Sequence, residues 1–187
     1  MNQSEVGNKI IEVASNFINL HEIVSNSEWN NKELSAEIKE WMKNAGWQAG
    51  WPYCASFCEA IWRKALTDLK APADVLKEFA TTMSPSSQAS YEGFKKIGKT
   101  EFVPVPGSIF FMRLGSDPGK GHAGIVKEYN ASDKTIITVE GNTGAKSGIG
   151  STDREGDGIY SKKRVVSFEK SKKSLYFLGF INPPSWK

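Results

Sequence analysis

The protein is a chain of 187 residues, of which 39% are hydrophobic and 24% charged, with a formal net charge of +3. This composition is typical of a folded globular protein and excludes the disordered and fibrous classes, and the length fits one domain with a sizeable core. The net charge is too small, and the basic clusters are too short, to predict a nucleic-acid-binding surface. We interpret the cluster Lys162-Lys163-Arg164 as solvated surface charge.

The chain carries no signal for membrane insertion or classical secretion. No apolar stretch approaches the ~20 residues that a membrane-spanning helix needs. The first residues have no basic segment, and polar residues interrupt the apolar ones that follow them. We therefore expect no signal peptide, synthesis in the cytoplasm and no association with a membrane.

Residues 1–45 are predicted to be helical. Apolar residues recur at helical spacing from Val6 to Leu20 and again from Leu34 to Met42, before a glycine at position 46 ends the pattern. A turn-rich segment then leads into an amphipathic stretch that starts at Cys54, so this cysteine is expected at or near a helix N-terminus. Two further helices are predicted over 73–82 and 84–96.

The second half of the chain is predicted to form β-strands. Short runs rich in β-branched and aromatic residues, separated by Gly, Asn, Asp and Ser, predict strands over 108–112, 123–127, 135–139, 159–168 and 175–181. Segment 141–158 is rich in Gly, Ser and Thr and predicts a long loop beside the functional site. Helices followed by antiparallel strands predict an α+β fold. We expect one catalytic domain over 1–187, with a helical part of about 1–45 and a helix-sheet core of about 46–182.

The two cysteines lie four residues apart, at positions that share one face of the predicted helix and do not suit a disulfide. A thiol is a strong nucleophile when it is ionised, and a helix N-terminus and a nearby imidazolium both stabilise the thiolate. Cys54 is therefore the candidate nucleophile. Cys58 lies one turn deeper and is interpreted as a buried core residue.

The chain has two histidines. His122 begins a predicted strand between glycines that we expect to leave room for a ligand, and it is the candidate base. His21 lies at the end of a predicted helix, far from any glycine-rich loop, and is interpreted as a structural or surface residue.

A catalytic imidazole needs an acceptor for its second nitrogen. If strands 123–127 and 135–139 form a hairpin, His122 lies opposite position 141, within a residue either way. Glu140 and Asn142 then flank it on one face, and either or both can hold the ring. The backbone N–H of Cys54 is a candidate oxyanion donor, and Gln48 or Tyr53 is a candidate side-chain donor.

Four segments together resemble the CHAP family of cysteine, histidine-dependent amidohydrolases/peptidases, over about residues 14–181. In order they are Pro52-Tyr-Cys-Ala-Ser-Phe57, Pro106-Gly-Ser-Ile-Phe-Phe111, Gly121-His-Ala-Gly-Ile-Val126 and Glu140-Gly-Asn142. The resemblance implies a papain-like fold, with the nucleophile at the start of a helix packed on an antiparallel sheet. It also implies roles for Cys54 as nucleophile, His122 as base and then acid, Glu140 as the residue that orients His122, and Asn142 as an assisting residue.

The resemblance also implies bacterial peptidoglycan as the substrate, cut at the muramoyl-L-alanine amide or within the stem peptide and cross-bridge. For this mechanism we expect no metal and no cofactor, and we expect a monomer, with an immunity or inhibitor protein as a partner to look for. Phage-borne, secreted and injected members make a non-classical route or delivery by a phage or secretion system the expected way out of the cell. Ser108 replaces an acid that is common in this family.

Two other interpretations of the sequence stay open. A protease or amidase of the same fold could act on a non-wall substrate, in which case purified peptidoglycan stays intact. Alternatively, the chain could be a catalytically silent binding or structural module of a phage tail or secretion apparatus. That interpretation predicts an unreactive Cys54 and binding that survives its replacement.

Overall fold

A computed structural model describes residues 1–145 and 156–187 of the chain. Within these residues, helices dominate the first half and strands the second. The helices are α1 (Gln3–Ser15), α2 (Lys32–Asn44), α3 (Cys54–Asp68), α4 (Ala73–Thr82) and α5 (Ser87–Lys96). The strands are β1 (Leu20–Val24), β2 (Glu28–Trp29), β3 (Ile109–Leu114), β4 (Asp117–Asn130), β5 (Thr135–Thr143), β6 (Gly158–Val165) and β7 (Leu175–Ile181).

The strands form one sheet in the order β2-β1-β6-β5-β4-β3-β7, and all the neighbouring strands are antiparallel. This architecture confirms the predicted α+β class and is compatible with the papain-like fold that the resemblance implies. Helix α4 and strand β7 have the predicted bounds, and α3 begins at Cys54 as expected. None of the helices in the described residues is long and apolar enough to cross a membrane.

Helix α3 is the central helix of the fold. It contacts α1, α2, α4, α5, β4 and β5, and most of its residues are buried. Its side chains join the main hydrophobic core between the helices and the sheet, where Phe57, Ile61 and Leu66 are fully buried. Burial on nearly all sides fixes this helix, and with it the position of its first residue, Cys54.

The prediction that residues 1–45 are helical is wrong in part. Helix α1 ends at Ser15, and Asn19, with a φ of 70°, turns the chain into β1. Strand β1 joins the sheet because Leu20 and His21 pair with Ile159 and Gly158 of β6. Such a short strand depends on a partner that is distant in sequence, which local spacing does not reveal. His21 is exposed on this strand.

The predicted strand bounds also change. Strand β4 is longer than predicted, and β6 ends at Val165 instead of position 168. The predicted loop over 141–158 is shorter than expected at both ends, because β5 continues to Thr143 and β6 begins at Gly158. Its central part, 146–155, lies outside the described residues.

Candidate active site

Cys54 is the first residue of α3 and lies at the floor of a cleft of about 400 Å³. Cys54 is 7% exposed and follows Pro52 and Tyr53. Tyr53 has a φ of −121°, which is outside the helical range. The first N–H groups of a helix have no intrahelical partners and carry the positive end of the helix dipole. The thiol of Cys54 therefore lies where a negative charge is stabilised.

His122 of β4 lies between Cys54 and Glu140. Its Nε2 and Oε2 of Glu140 are 2.9 Å apart, and both side chains are fully buried. Since the carboxylate only accepts, Nε2 carries the proton of a neutral ring, which leaves Nδ1 for the thiol. Nδ1 is buried and makes no hydrogen bond to any described residue, while the Cys54 thiol interacts electrostatically with the ring. The three side chains therefore follow the order of a nucleophile (Cys54), a base (His122) and a carboxylate that orients the base (Glu140).

The environment of Cys54 and His122 favours the thiolate-imidazolium pair. Burial by itself raises the pKa of the Cys54 thiol, but the neighbouring His122 ring and its positive charge outweigh burial and bring the pKa below its usual value. The backbone N–H groups of Ala123 and Ala55 contribute in the same direction. Burial lowers the pKa of His122, but the interactions of the ring with Cys54 and with Glu140 raise it to about 9. Both shifts favour the ionised pair near neutral pH.

Glu140 stays ionised despite complete burial because of its partners. Burial alone raises its pKa, whereas the Arg164 guanidinium, with His122, holds it well below the usual range. Arg164 makes a two-pronged contact through Nε to Oε1 and Nη2 to Oε2, each at 2.5 Å. Thr138 donates a further hydrogen bond to Oε1 at 2.6 Å. Together these contacts hold the carboxylate that orients His122.

The interpretation of Lys162-Lys163-Arg164 as solvated charge is wrong for two of its members. Lys162 and Arg164 alternate along β6 and are only 3% and 5% exposed. Lys162 donates to the carbonyl oxygen of Gly144, just past β5, and Arg164 binds Glu140. The alternation of strand residues was a usable signal, because positions 162 and 164 must share a face of the sheet. Arg164 is therefore a site residue that was not predicted from the sequence.

Asn142 is brought into the same region but in a different way. It is 1% exposed and has a φ of 57°, a left-handed conformation that asparagine adopts more readily than most residues. Its carbonyl oxygen accepts from the N–H of Gly156 at 3.3 Å, and its own N–H interacts with the hydroxyl of Tyr53. These described contacts belong to its backbone, so the assisting role of Asn142 stays a prediction.

The two candidate oxyanion donors differ sharply. The hydroxyl of Tyr53 is buried, donates to Oε1 of Glu22 at 2.9 Å and accepts from the indole of Trp29 at 3.1 Å. This hydroxyl is therefore engaged, and the geometry disfavours Tyr53 as a donor. Gln48 lies in an exposed turn and is not among the described residues that line the cleft. Its role stays a prediction.

The glycines around His122 make room for protein groups, and two of the glycines that precede it, Gly119 and Gly121, also line the cleft. A Cβ at Gly124 would lie 2.6 Å from the ring of Phe110 and 2.8 Å from Cγ of Glu140. A Cβ at Gly121 would lie 1.9 Å from Nε2 of Gln88. These glycines let neighbouring side chains pack tightly on the strand that carries the base.

Cys58 is fully buried one turn into α3. Burial, followed by the negative charges of Cys54 and Glu140, raises its pKa well above the usual value. A thiol in this environment stays protonated and is a poor nucleophile.

Ser108, which stands where the family often has an acid, is buried in the turn before β3 and donates to Oδ1 of Asn182 at 2.6 Å.

A family model described as the CHAP domain matches residues 44–142, more than half of the chain. No curated protein matches the chain, and no solved structure does. The matched range contains α3, β4 and all of β5 except its last residue, and Cys54, His122 and Glu140 lie on these elements. Arg164 lies on β6, outside the matched range.

Proposed function

The chain belongs to the CHAP domain family, and we propose on this basis that it is a cysteine amidase or endopeptidase that cuts amide bonds in bacterial peptidoglycan. The family is one of hydrolytic amidases and peptidases that act on peptidoglycan in general. The observation that carries the proposal for this chain is the buried line of interacting groups from Cys54 through His122 to Glu140. It supports nucleophilic catalysis by a thiol.

In the proposed reaction, the Cys54 thiolate attacks the carbonyl carbon of the scissile amide. The backbone N–H of Cys54 faces the oxyanion that develops, since a helix leaves its first N–H groups without intrahelical partners. The His122 imidazolium gives its Nδ1 proton to the leaving amine as the C–N bond breaks, which leaves a thioester on Cys54. Neutral His122 then takes a proton from water, the water oxygen attacks the thioester, and the acid and the thiol are released.

Glu140 acts on His122 in both halves of this cycle. It holds the Nε2 proton, which keeps Nδ1 directed at the sulfur and the leaving group, and its charge stabilises the imidazolium. Arg164 and Thr138 fix the carboxylate in turn. His122 and Glu140 are therefore fully buried and held in place by hydrogen bonds beside the cleft.

The experiment that tests this proposal is digestion of purified peptidoglycan from several wall types by the wild type, Cys54→Ala and Cys58→Ala. Cys58→Ala is the matched control because it removes a thiol from the same helix one turn deeper. We expect soluble fragments and new amino groups from the wild type and the control, and none from Cys54→Ala. Mass analysis of the fragments then identifies the bond that is cut. Absence of release by the wild type on every wall, or release by Cys54→Ala, contradicts the proposal.

A further inference from the structure

The cleft above Cys54 has two walls of different chemistry. Trp51 and Pro52 form one wall, just before the nucleophile, and Ser84 to Ser87, at the start of α5, form the other. Gly119 and Gly121 also line it. The described lining thus offers a substrate that reaches Cys54 one large aromatic residue and three serines.

Trp51 lines the cleft and is held by hydrogen bonds of its backbone. The residue is 44% exposed, although tryptophan is usually well buried. Its backbone N–H donates to the carbonyl oxygen of Gln48 at 3.0 Å, and its own carbonyl oxygen accepts from the indole of Trp47 at 2.9 Å. Pro52 follows and fixes the next φ angle. An exposed ring on a well-bonded backbone is preorganised to receive a flat ligand surface.

Apart from Cys54, the cleft lining is uncharged within the part of the chain that the structure describes, because none of the other lining residues there has an ionisable side chain. Lys120, between the two lining glycines, directs its ammonium towards Asp117 at 3.5 Å. None of the described lining residues can pair its charge with a carboxylate of a stem peptide, so binding that carboxylate here costs desolvation free energy. A neutral ligand has no such cost.

The serine wall offers hydroxyl hydrogens. The Oγ of Ser84 accepts from the N–H of Ser86 at 3.2 Å, and the Oγ of Ser86 accepts from the N–H of Ala89 at 3.3 Å. Both oxygens act as acceptors in these bonds, which leaves their own hydrogens for a ligand. A ligand with one apolar face and several neutral oxygens matches both walls of the cleft.

We propose, building on the peptidoglycan hydrolase function proposed above, that this cleft is a saccharide subsite in which a sugar ring of the glycan stacks on Trp51. The hydroxyl and acetamido oxygens of the ring accept hydrogen bonds from Ser84 and Ser86. A muramic acid ring bound there brings its lactyl carbonyl to Cys54. The amide between the lactyl group and the first stem residue is then the bond that is cut.

In this reaction the muramoyl group is the acyl group that is transferred to Cys54, and the stem peptide is the leaving amine. Sγ of Cys54 bonds to the lactyl carbonyl carbon, the C–N bond to the alanine nitrogen breaks, and His122 protonates that nitrogen. Water then replaces sulfur at the carbonyl, which gives the free lactyl carboxylic acid and restores the thiol.

Two soluble substrates with the same scissile amide test this subsite. One is an N-acetylmuramoyl peptide, and the other is the same peptide with a lactoyl group in place of the whole muramoyl group. We expect the wild type to show a kcat/KM at least tenfold higher on the muramoyl peptide. Trp51→Ala should lower this preference about tenfold, since an aromatic contact of ~1.4 kcal/mol corresponds to a factor of ten. Trp51→Phe should restore part of it.

Phe102→Ala is the matched control, because Phe102 is 65% exposed and does not line the cleft. It should leave the preference unchanged. Equal kcat/KM of the wild type on the two substrates, or an unchanged preference in Trp51→Ala, overturns the subsite.

A binding measurement separates the subsite from the proposed reaction. The inactive Cys54→Ala protein is titrated with a soluble N-acetylglucosamine oligomer, and the indole N–H signals are followed by NMR. The Trp51 signal is identified as the one missing from a protein that also carries Trp51→Ala, and a shift of this signal on titration supports the subsite even if the wild type cuts no wall. No shift at millimolar oligomer overturns the subsite and leaves the hydrolase proposal standing.

Discussion

Replacing Glu59 by glutamine should stabilise the protein at alkaline pH far more than at acidic pH. Glu59 lies in α3, its side chain is only 3% exposed, and its Oε2 has no hydrogen-bond partner in the part of the chain that the structure describes. The Nη1 of Arg63 approaches Oε1 only to 3.5 Å. Burial raises the pKa of this carboxyl from 4.5 to about 7, against the weaker opposite effect of Arg63.

The sign and size of the effect follow from this pKa. The folded state binds the proton more tightly than the unfolded state, so the free energy of unfolding falls as the pH rises from 4.5 to about 7 and stays low above it. At ~1.4 kcal/mol per pKa unit, the penalty is about 3 kcal/mol at pH 8 and under about 1 kcal/mol at pH 5. Glutamine has the same shape and no charge, and it removes this penalty.

The assay is denaturant unfolding of the wild type and Glu59→Gln at pH 5 and pH 8. We expect the gain in the free energy of unfolding to be about 2–3 kcal/mol larger at pH 8, equivalent to a further ~4–12 °C in melting temperature. Comparing the two pH values cancels any constant change in packing. Glu37→Gln, at an exposed position of α2, is the control and should show no such difference. Equal gains at both pH values would refute the reasoning.

Three further predictions concern the site. The His122 imidazolium should lose its proton through a pKa of about 9, so kcat/KM should fall near pH 9 as the pH is raised. A fall centred near pH 7 contradicts the assignment of a thiolate-imidazolium pair. Iodoacetamide should alkylate Cys54 and leave the fully buried Cys58 unmodified in the folded protein, so intact mass should show one adduct; two adducts would contradict the assigned environments. Arg164→Lys keeps the charge but loses the two-pronged contact with Glu140, so kcat should fall about 10-fold or more with little change in KM, whereas unchanged kcat removes Arg164 from the positioning role.

The parts of the fold that the sequence predicted well are those set by local spacing. The bounds of α4 and β7, and the helix start at Cys54, follow from apolar periodicity and from proline and glycine positions. Hairpin reasoning also brought Glu140 next to His122, because β4 and β5 are joined by a short turn. Local patterns therefore predicted the core of the candidate site.

The features that the sequence analysis missed all depend on distant partners. Strand β1 exists through its pairing with β6, and Arg164 is buried because Glu140 lies within its reach. The hydroxyl of Tyr53 is engaged because Glu22 and Trp29 come from a part of the chain that was expected to be helical. A single sequence gives no register between such segments, so periodicity can place two side chains on one face of a strand but does not identify the distant partner that buries them.

The order of strands in the sheet bears on how the protein folds. The strands β4 and β5 that carry His122 and Glu140 are joined by a tight turn, whereas the pairing of Leu20 with Ile159 closes a loop over most of the chain. Short loops close at a smaller entropic cost and earlier than long ones. We expect the β4-β5 hairpin to gain protection from hydrogen exchange early in refolding, and the β1-β6 edge to gain it late. The base and its carboxylate would then be in register before the N-terminal strand docks.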